Sequence, residues 1–178
     1  MKLPTLLQDP DAIGDWGNRY AEFVRKKANV PTDQQIEAMF DDIWENEQME
    51  RCELLALGRW KNGGNWNRVY LERNDPEIVR FCTSIALADR SDFERMAVLL
   101  PLQGVRYQTA SSFLHFAYPE HYPIIDVRVW RTLTSETKTD FTIEQWLEYV
   151  AFCRKTSKNY EVSLRVLDRA LWTFDKVN

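Results

Sequence analysis

The sequence predicts an all-α protein, and three observations indicate this fold class. Apolar residues recur three and four positions apart along successive segments, which is the spacing of one helix face. Capping signatures precede several of these segments. Sustained alternation of apolar and polar residues, the pattern of a half-buried strand, is missing from the sequence. With 178 residues, 44% of them hydrophobic, the chain can bury a core, and we expect one domain over residues 1–178, a compact helical bundle of two lobes.

Four helices are predicted in the first half of the chain. The first has an apolar face formed by Trp16, Tyr20, Phe23 and Val24. The second begins after a T-x-x-Q capping box, Thr32 to Gln35, and buries Ile36, Met39, Phe40 and Ile43. The third covers about Glu50–Leu57 and ends at Gly58, because glycine often terminates a helix. The fourth begins with Asp75-Pro76 and is expected to bury Ile78, Phe81, Cys82 and Ile85.

The second half continues the same pattern. Ser91 and Glu94 form a capping box, so a helix should begin at Asp92, with Phe93, Met96, Ala97 and Leu100 on its apolar face. Pro101 favours a helix end, and Gly104 gives the backbone freedom that a tight turn needs before a helix over Tyr107–Ala117. Three more helices are predicted, one after Asp126, one after Thr142 and a last one carrying Leu164, Leu167, Leu171 and Phe174.

One glycine-rich stretch, from Gly58 to Arg68, interrupts the helical pattern. It contains basic side chains that suit phosphates and tryptophans that suit stacking on a base. The candidates for a DNA-contacting loop are Arg59, Trp60, Lys61, Trp66 and Arg68. An ordinary surface loop whose tryptophans pack back on the core explains the same composition equally well.

Charge and cysteine content limit the class of protein. The net charge is −4 and the sequence pI is about 5.3, which is not typical of DNA-binding proteins. The acidic excess lies in residues 1–50, with 5 basic against 11 acidic residues, whereas residues 51–131 have 11 against 9. Cys52, Cys82 and Cys153 are scattered within apolar segments, so we expect buried free thiols and a cytoplasmic protein. Neither a membrane-spanning run nor a signal peptide is recognisable.

The most informative segment joins two motifs at a defined spacing. Leu99-Leu100-Pro101-Leu102-Gln103-Gly104-Val105 leads into Thr109-Ala110, and a proline-bounded loop over residues 118–126 ends in Asp126, 18 residues after Gln108. This segment resembles the helix-hairpin-helix superfamily of base-excision DNA glycosylases, in which a hairpin L-P-G-V-G-x-K-T-A precedes a Gly/Pro-rich loop and an essential aspartate. The resemblance covers about residues 92–134, with the hairpin at about 92–117.

The resemblance implies a fold, an activity and a set of site residues. The fold is two helical lobes with a cleft between them, and the activity is hydrolysis of the N-glycosidic bond of a base flipped out of duplex DNA. Asp126 is then the catalytic carboxylate, while Arg128 and Arg131 support it. The hairpin binds the DNA backbone through Gly104, Arg106, Tyr107 and Thr109.

Two departures from the family pattern change the expected chemistry. Gln108 stands at the position of the family lysine and cannot form a Schiff base, so we expect a monofunctional enzyme without lyase activity. Lys61 replaces that lysine only if its loop reaches the sugar. Arg106 stands where the family has a second glycine, so either the turn differs or Arg106 adds a phosphate contact.

The expected partner is double-stranded DNA that contains a damaged, mismatched or modified base. We expect a monomer with no cofactor and no metal, and the chain lacks the four closely spaced cysteines of an iron–sulfur cluster. Two other interpretations stay open beside the enzyme. Asp126 is also well placed to be only the N-cap of the next helix, which favours a non-catalytic DNA-binding module or adaptor. The acidic N-terminal third is compatible with a protein-interaction domain.

Overall fold

A computed structural model describes residues 1–24, 29–62 and 68–178 of the chain. Within these residues the regular structure is entirely helical, which confirms the predicted all-α class. A short 3₁₀ helix, Thr5–Leu7, precedes the α-helices. These are α1 (Pro10–Asn18), α2 (Tyr20–Phe23), α3 (Asp33–Asn46), α4 (Arg51–Asn62), α5 (Arg68–Leu71), α6 (Pro76–Leu87), α7 (Asp92–Leu99), α8 (Tyr107–Ala117), α9 (Val127–Thr134), α10 (Ile143–Tyr160) and α11 (Leu164–Val177).

Local capping signals set the beginnings of these helices, as the sequence predicts. The capping boxes of α3, α7 and α10 are complete, because each cap hydroxyl accepts from the third helical N–H and the Gln or Glu side chain returns the contact. Asp75 caps α6, with Pro76 in its first turn. Each cap satisfies N–H groups that the helix itself leaves without a partner.

The helices form two units. The first unit, Met1–Arg25 with Tyr118–Asn178, contains α1, α2 and α9–α11. Its central packing is that of α11 on α1 and α9. A Cβ on Gly17 of α1 would lie 3.1 Å from the carbonyl oxygen of Val166, so the glycine permits the close approach of α11. Trp146 of α10 is fully buried and stacks on Tyr122.

The second unit, Lys26–Ala117, contains α3–α8. In this unit α6 packs on α7, and α8 packs on α3, α4 and α7. Phe40 of α3 contacts the rings of both Phe113 and Phe116 on α8, with centroids 5.4 and 5.6 Å apart. The indole N–H of Trp44 donates to the carbonyl oxygen of Ala117 at the end of α8.

The buried faces of α6 and α7 differ from the prediction. Ile78, Phe81 and Phe93 are exposed, whereas the buried residues are Val79, Cys82, Thr83, Ala86 and Leu87 on α6 and Arg95, Met96 and Leu99 on α7. On α7 the reason is the side chain of Arg95, which donates to the carbonyl oxygens of Ala86 and Arg90. When Arg95 is turned inward, a carbonyl oxygen in the last turn of α6 has a hydrogen-bond donor and Phe93 lies at the surface.

The prediction that a helix ends at Gly58 is also wrong. α4 continues to Asn62, and Gly58 is a buried residue inside it. Glycine in a helix interior costs about 1 kcal/mol relative to alanine, but the tertiary contacts of Trp60 in the last turn favour the longer helix. One further correction concerns Cys52, which is exposed on α4, whereas Cys82 and Cys153 are buried as expected.

Candidate functional site

The α7–α8 turn, residues 100–106, is built around Gly104. Its φ of +78° lies in the left-handed region that glycine adopts without strain. A Cβ at this position would lie 3.0 Å from Tyr70 Cβ and 3.1 Å from the backbone nitrogen of Leu71. Gly104 therefore serves two needs, because it reverses the chain and lets the turn lie against α5.

Asn74, which follows α5, holds this turn in place, and the sequence analysis missed it. Its side chain is 5% exposed, and Oδ1 accepts from the Gln103 N–H at 2.7 Å while Nδ2 donates to the Gln103 carbonyl at 2.9 Å. The same Nδ2 donates to the Leu71 carbonyl at 3.0 Å. One amide thus joins the end of α5 to the turn. No local pattern indicates this contact, because 29 residues separate the partners.

The residues that the resemblance assigns to the DNA backbone lie in the α7–α8 turn and in the first turn of α8. Arg106 is exposed, and Tyr107 and Gln108 are half-buried. Thr109 is 4% exposed, so its hydroxyl packs inside the unit rather than facing solvent. Arg106 has no positive φ, so the backbone at this position accommodates an arginine without the strain of a left-handed conformation.

Asp126 caps the N-terminus of α9. It is half-buried in extended backbone, with a φ of −147°, and its Oδ1 accepts from the Arg128 N–H at 3.0 Å. The preceding segment is anchored by Tyr149, whose hydroxyl donates to the Ile124 carbonyl at 2.8 Å. Burial raises the pKa of Tyr149 well above its usual value, so this hydroxyl stays a neutral donor. The carboxylate is therefore held by its own helix and by a buried anchor on α10.

Arg128 and Arg131, the expected supports of Asp126, both pair with Asp175 of α11. Arg131 donates from Nε and Nη2 at 2.6 and 2.7 Å, and Arg128 donates from Nη1 at 2.9 Å. Burial alone raises the pKa of Asp175, but the hydrogen bonds and charges of the two arginines outweigh it and lower that pKa. The hydrogen bond and charge of Asp175, with a smaller effect of Asp126, raise the pKa of Arg131. Sequence reasoning missed Asp175, which lies 44 residues from Arg131.

The basic candidates between Gly58 and Arg68 do not form one loop. Arg59, Trp60 and Lys61 lie at the end of α4, where the indole N–H of Trp60 donates to Asp33 at 2.8 Å and its ring contacts Phe116. Trp60 thus packs within its unit, as the alternative interpretation of this stretch expected.

The described residues at the two ends of this stretch lie near opposite ends of α8. Phe116 lies eight residues beyond Gln108, or about 12 Å along the helix at 1.5 Å per residue, so Lys61 follows a residue packed near the far end of α8. Arg68 belongs to α5, the helix that contacts Gly104. Trp66 lies outside the described residues.

The first unit also contains a cavity of about 660 Å³, lined by Arg131, Asp175, Phe174 and Lys2, among others, and Asp126 is not part of its lining. Groups of three or more His, Cys, Asp or Glu side chains with metal-binding geometry are missing from residues 1–24, 29–62 and 68–178. Within the same ranges, none of the helices is sufficiently long and apolar to cross a membrane.

Comparisons with family models, with curated proteins and with solved structures find no match to this chain. Its function is therefore inferred from the residues themselves. The second unit brings Gly104, Asn74 and α5 together, and the first unit brings Asp126, Arg128, Arg131 and Asp175 together.

Proposed function

We propose that this protein is a monofunctional DNA glycosylase, which hydrolyses the N-glycosidic bond of a damaged, mismatched or modified base. The observation that carries the proposal is the placement of Asp126. It is a half-buried carboxylate fixed by the Arg128 N–H at the start of α9, 18 residues after Gln108 on the helix that follows the Gly104 turn. The glycosylases that this segment resembles usually have their essential aspartate at the same spacing, and this supports a catalytic role for Asp126.

The proposed chemistry follows from the charge that develops when the bond breaks. As the bond from C1′ to the base nitrogen lengthens, its electron pair leaves with the base and positive charge grows on the deoxyribose. A carboxylate held close to the sugar stabilises that charge and accepts a proton from the attacking water. The hydrogen bond from Arg128 fixes the orientation of Asp126 before the substrate arrives, which reduces the reorganisation that the reaction requires.

Gln108 determines the outcome of the reaction. Its amide nitrogen is not a nucleophile, so no covalent intermediate forms with C1′ and the strand is left intact at an abasic site. Lys61 does not replace the family lysine in this proposal, because it follows Trp60, which packs against Phe116 near the opposite end of α8 from Gln108.

The α7–α8 turn and the first turn of α8 would hold the DNA backbone. The N-terminus of a helix attracts phosphate through its dipole and its N–H groups, and Arg106 adds an exposed guanidinium beside it. A target base must leave the stack before any side chain reaches C1′. The proposal also includes the cleft between two lobes that the family resemblance implies, and a cytoplasmic location.

Base release from a panel of duplexes tests the proposal. Each duplex carries one alkylated, oxidised, deaminated or mismatched base, and the products are analysed with and without alkali. We expect strand cleavage only after alkali treatment, on one class of lesion. Cleavage without alkali would contradict the monofunctional assignment, and no release from any duplex would contradict the glycosylase assignment.

A second candidate, a non-catalytic DNA-binding module, is favoured by one observation. Asp126 caps α9, and this structural role alone explains an aspartate at its position. Binding of the same duplexes without base release, equal in wild type and in Asp126→Asn, would support this candidate.

A further inference from the structure

In the first unit, five arginines lie on α9, on α11 and at the junction of α1 and α2, and four of them are beside an aromatic ring. We call this the arginine surface. It consists of Arg19, Arg128, Arg131, Arg165 and Arg169, with the rings of Trp16, Tyr20 and Trp172. The proposed reaction at Asp126 does not require most of these side chains, so their arrangement needs a separate explanation.

The ion pair at Asp175 directs positive charge outward. The Asp175 side chain is 6% exposed, whereas the side chains of Arg128 and Arg131 are 33% and 39% exposed. One buried carboxylate therefore pairs with two guanidinium groups, and the triad has a formal charge of +1 with its positive part toward solvent. Because Asp175 already orients both arginines, a ligand that binds them has less side-chain entropy to remove.

Aromatic rings continue the same surface along α11. Arg128 lies over the Trp172 ring at 5.4 Å, and Trp172 packs edge-on against Tyr20 with centroids 5.1 Å apart. Arg165 and Arg169 lie over the Tyr20 ring at 5.6 and 5.5 Å. Stacking of this kind favours a fixed guanidinium plane. The Arg165 side chain is 17% exposed and pairs with Asp168, so the positive charge that this surface offers to a ligand comes mainly from Arg19, Arg128 and Arg131.

Arg19 extends the surface at the α1–α2 junction. Its guanidinium lies 4.5 Å from the centre of the Trp16 ring, and Trp16 packs on Phe174 of α11. The side chain is 41% exposed, and its ion pair with Glu22 is long, at 3.8 Å. A pair of this length between exposed side chains contributes little, so Arg19 remains available for a stronger anionic partner.

We infer that the arginine surface binds the phosphodiester backbone of DNA next to Asp126. This inference rests on the proposed function and adds to it a second contact with the backbone, carried by the first unit. Planar guanidinium groups match phosphate oxygens in geometry as well as in charge. The surface also offsets an electrostatic repulsion. The Asp126 carboxylate repels the DNA polyanion, and the positive charge of Arg128, two residues away, opposes that repulsion. A protein with a net charge of −4 needs such a local concentration of positive charge to approach DNA.

The salt dependence of DNA binding tests the inference. Fluorescence anisotropy with a labelled, undamaged duplex gives Kd at salt concentrations between about 50 and 200 mM. The variants are Arg19→Gln and Arg128→Gln, and the matched control is Arg80→Gln on α6. Arg80 matches Arg128 in side-chain exposure, 32% against 33%, and in having one acidic partner, although that partner, Glu50, is 46% exposed. Asp175 keeps its pair with Arg131 in Arg128→Gln, so the buried carboxylate stays compensated.

We expect each of the two surface variants to reduce the slope of log K against log salt by about one, and the double variant by about two. The control should keep the wild-type slope. Wild-type slopes in both surface variants, with DNA still bound, would overturn the inference and leave the proposed function intact. An equal change in Arg80→Gln would overturn it too, because the effect would then follow net charge alone. Failure of the wild-type protein to bind any duplex would overturn both proposals.

Discussion

Replacing Gly104 with alanine tests the α7–α8 turn most sharply. The substitution places a Cβ at a φ of +78°, which costs about 1–2 kcal/mol for a residue with a side chain. The new Cβ would also lie 3.0 Å from Tyr70 Cβ and 3.1 Å from a backbone nitrogen. Crowding of this kind costs about 1–3 kcal/mol, because a backbone atom cannot move aside as the end of a side chain can.

The two costs together predict a loss of about 2–5 kcal/mol in the free energy of unfolding. At about 2–4 °C per kcal/mol for a chain of this size, a loss near the middle of that range lowers Tm by about 7–14 °C. Urea denaturation followed by circular dichroism measures the free energy, and a thermal scan measures Tm. DNA binding should weaken in proportion to the distortion of the turn.

Gly14→Ala is the matched control, since the substitution is the same but the environment is open. Gly14 lies inside α1, and a Cβ added there would meet no neighbouring group within 4 Å, so alanine should stabilise the protein by about 0.5–1 kcal/mol through helix propensity. Opposite signs for the two variants are expected. Equal effects, or a Gly104→Ala protein as stable as wild type, would refute the conformational and steric argument for the turn.

Three further predictions concern side chains outside the turn. Asn74→Ala should lower the free energy of unfolding by about 2–4 kcal/mol in a urea titration, because it removes the three hydrogen bonds that the Asn74 amide makes to the backbone of Leu71 and Gln103; a loss under about 1 kcal/mol, on the order of one ordinary hydrogen bond, would contradict this. Asp175→Asn should destabilise at neutral pH and should weaken the acid dependence of stability. Because the pKa of Asp175 is lower in the folded state than the unfolded value of about 3.9, its ionised form stabilises the fold at pH values above the unfolded pKa. This contribution disappears as pH falls through the folded pKa. Identical acid transitions in wild type and Asp175→Asn would contradict the stabilising role of the ion pairs of Asp175. Cys52 should react rapidly with a thiol reagent in the native protein, whereas Cys82 and Cys153 should react only on unfolding, since burial raises the pKa of both thiols.

Local signals in the sequence predicted most of the helices and several of their first residues, but the predicted first helix is divided into α1 and α2, Val24 is exposed after α2, and α5 was not predicted. The capping boxes at Thr32, Ser91 and Thr142 formed as expected, because each requires only residues three positions apart. The same is true of the Gly104 turn, whose conformation follows from the absence of a side chain.

Long-range contacts limited the prediction elsewhere. Helical periodicity alone did not show that Arg95 turns inward to bind the end of α6, so Phe93 was assigned to the wrong face. Gly58 stays helical because Trp60 finds partners on α3 and α8, which no local rule anticipates. Asn74 holds the α7–α8 turn and Asp175 pairs with Arg128 and Arg131, yet both act on residues far away in the sequence.

The role of Asp126 is the central claim, and Asp126→Asn tests it most directly. Asparagine is as good an N-cap as aspartate, so α9 should keep its start and the variant should keep the wild-type Tm. The measurement is the single-turnover rate of base release on the duplex that the wild-type protein processes best. A carboxylate that stabilises the sugar and accepts a proton predicts a loss of about 10²–10⁴-fold in this rate at unchanged DNA affinity. Release by Asp126→Asn at the wild-type rate would contradict the account and leave Asp126 as a helix cap alone.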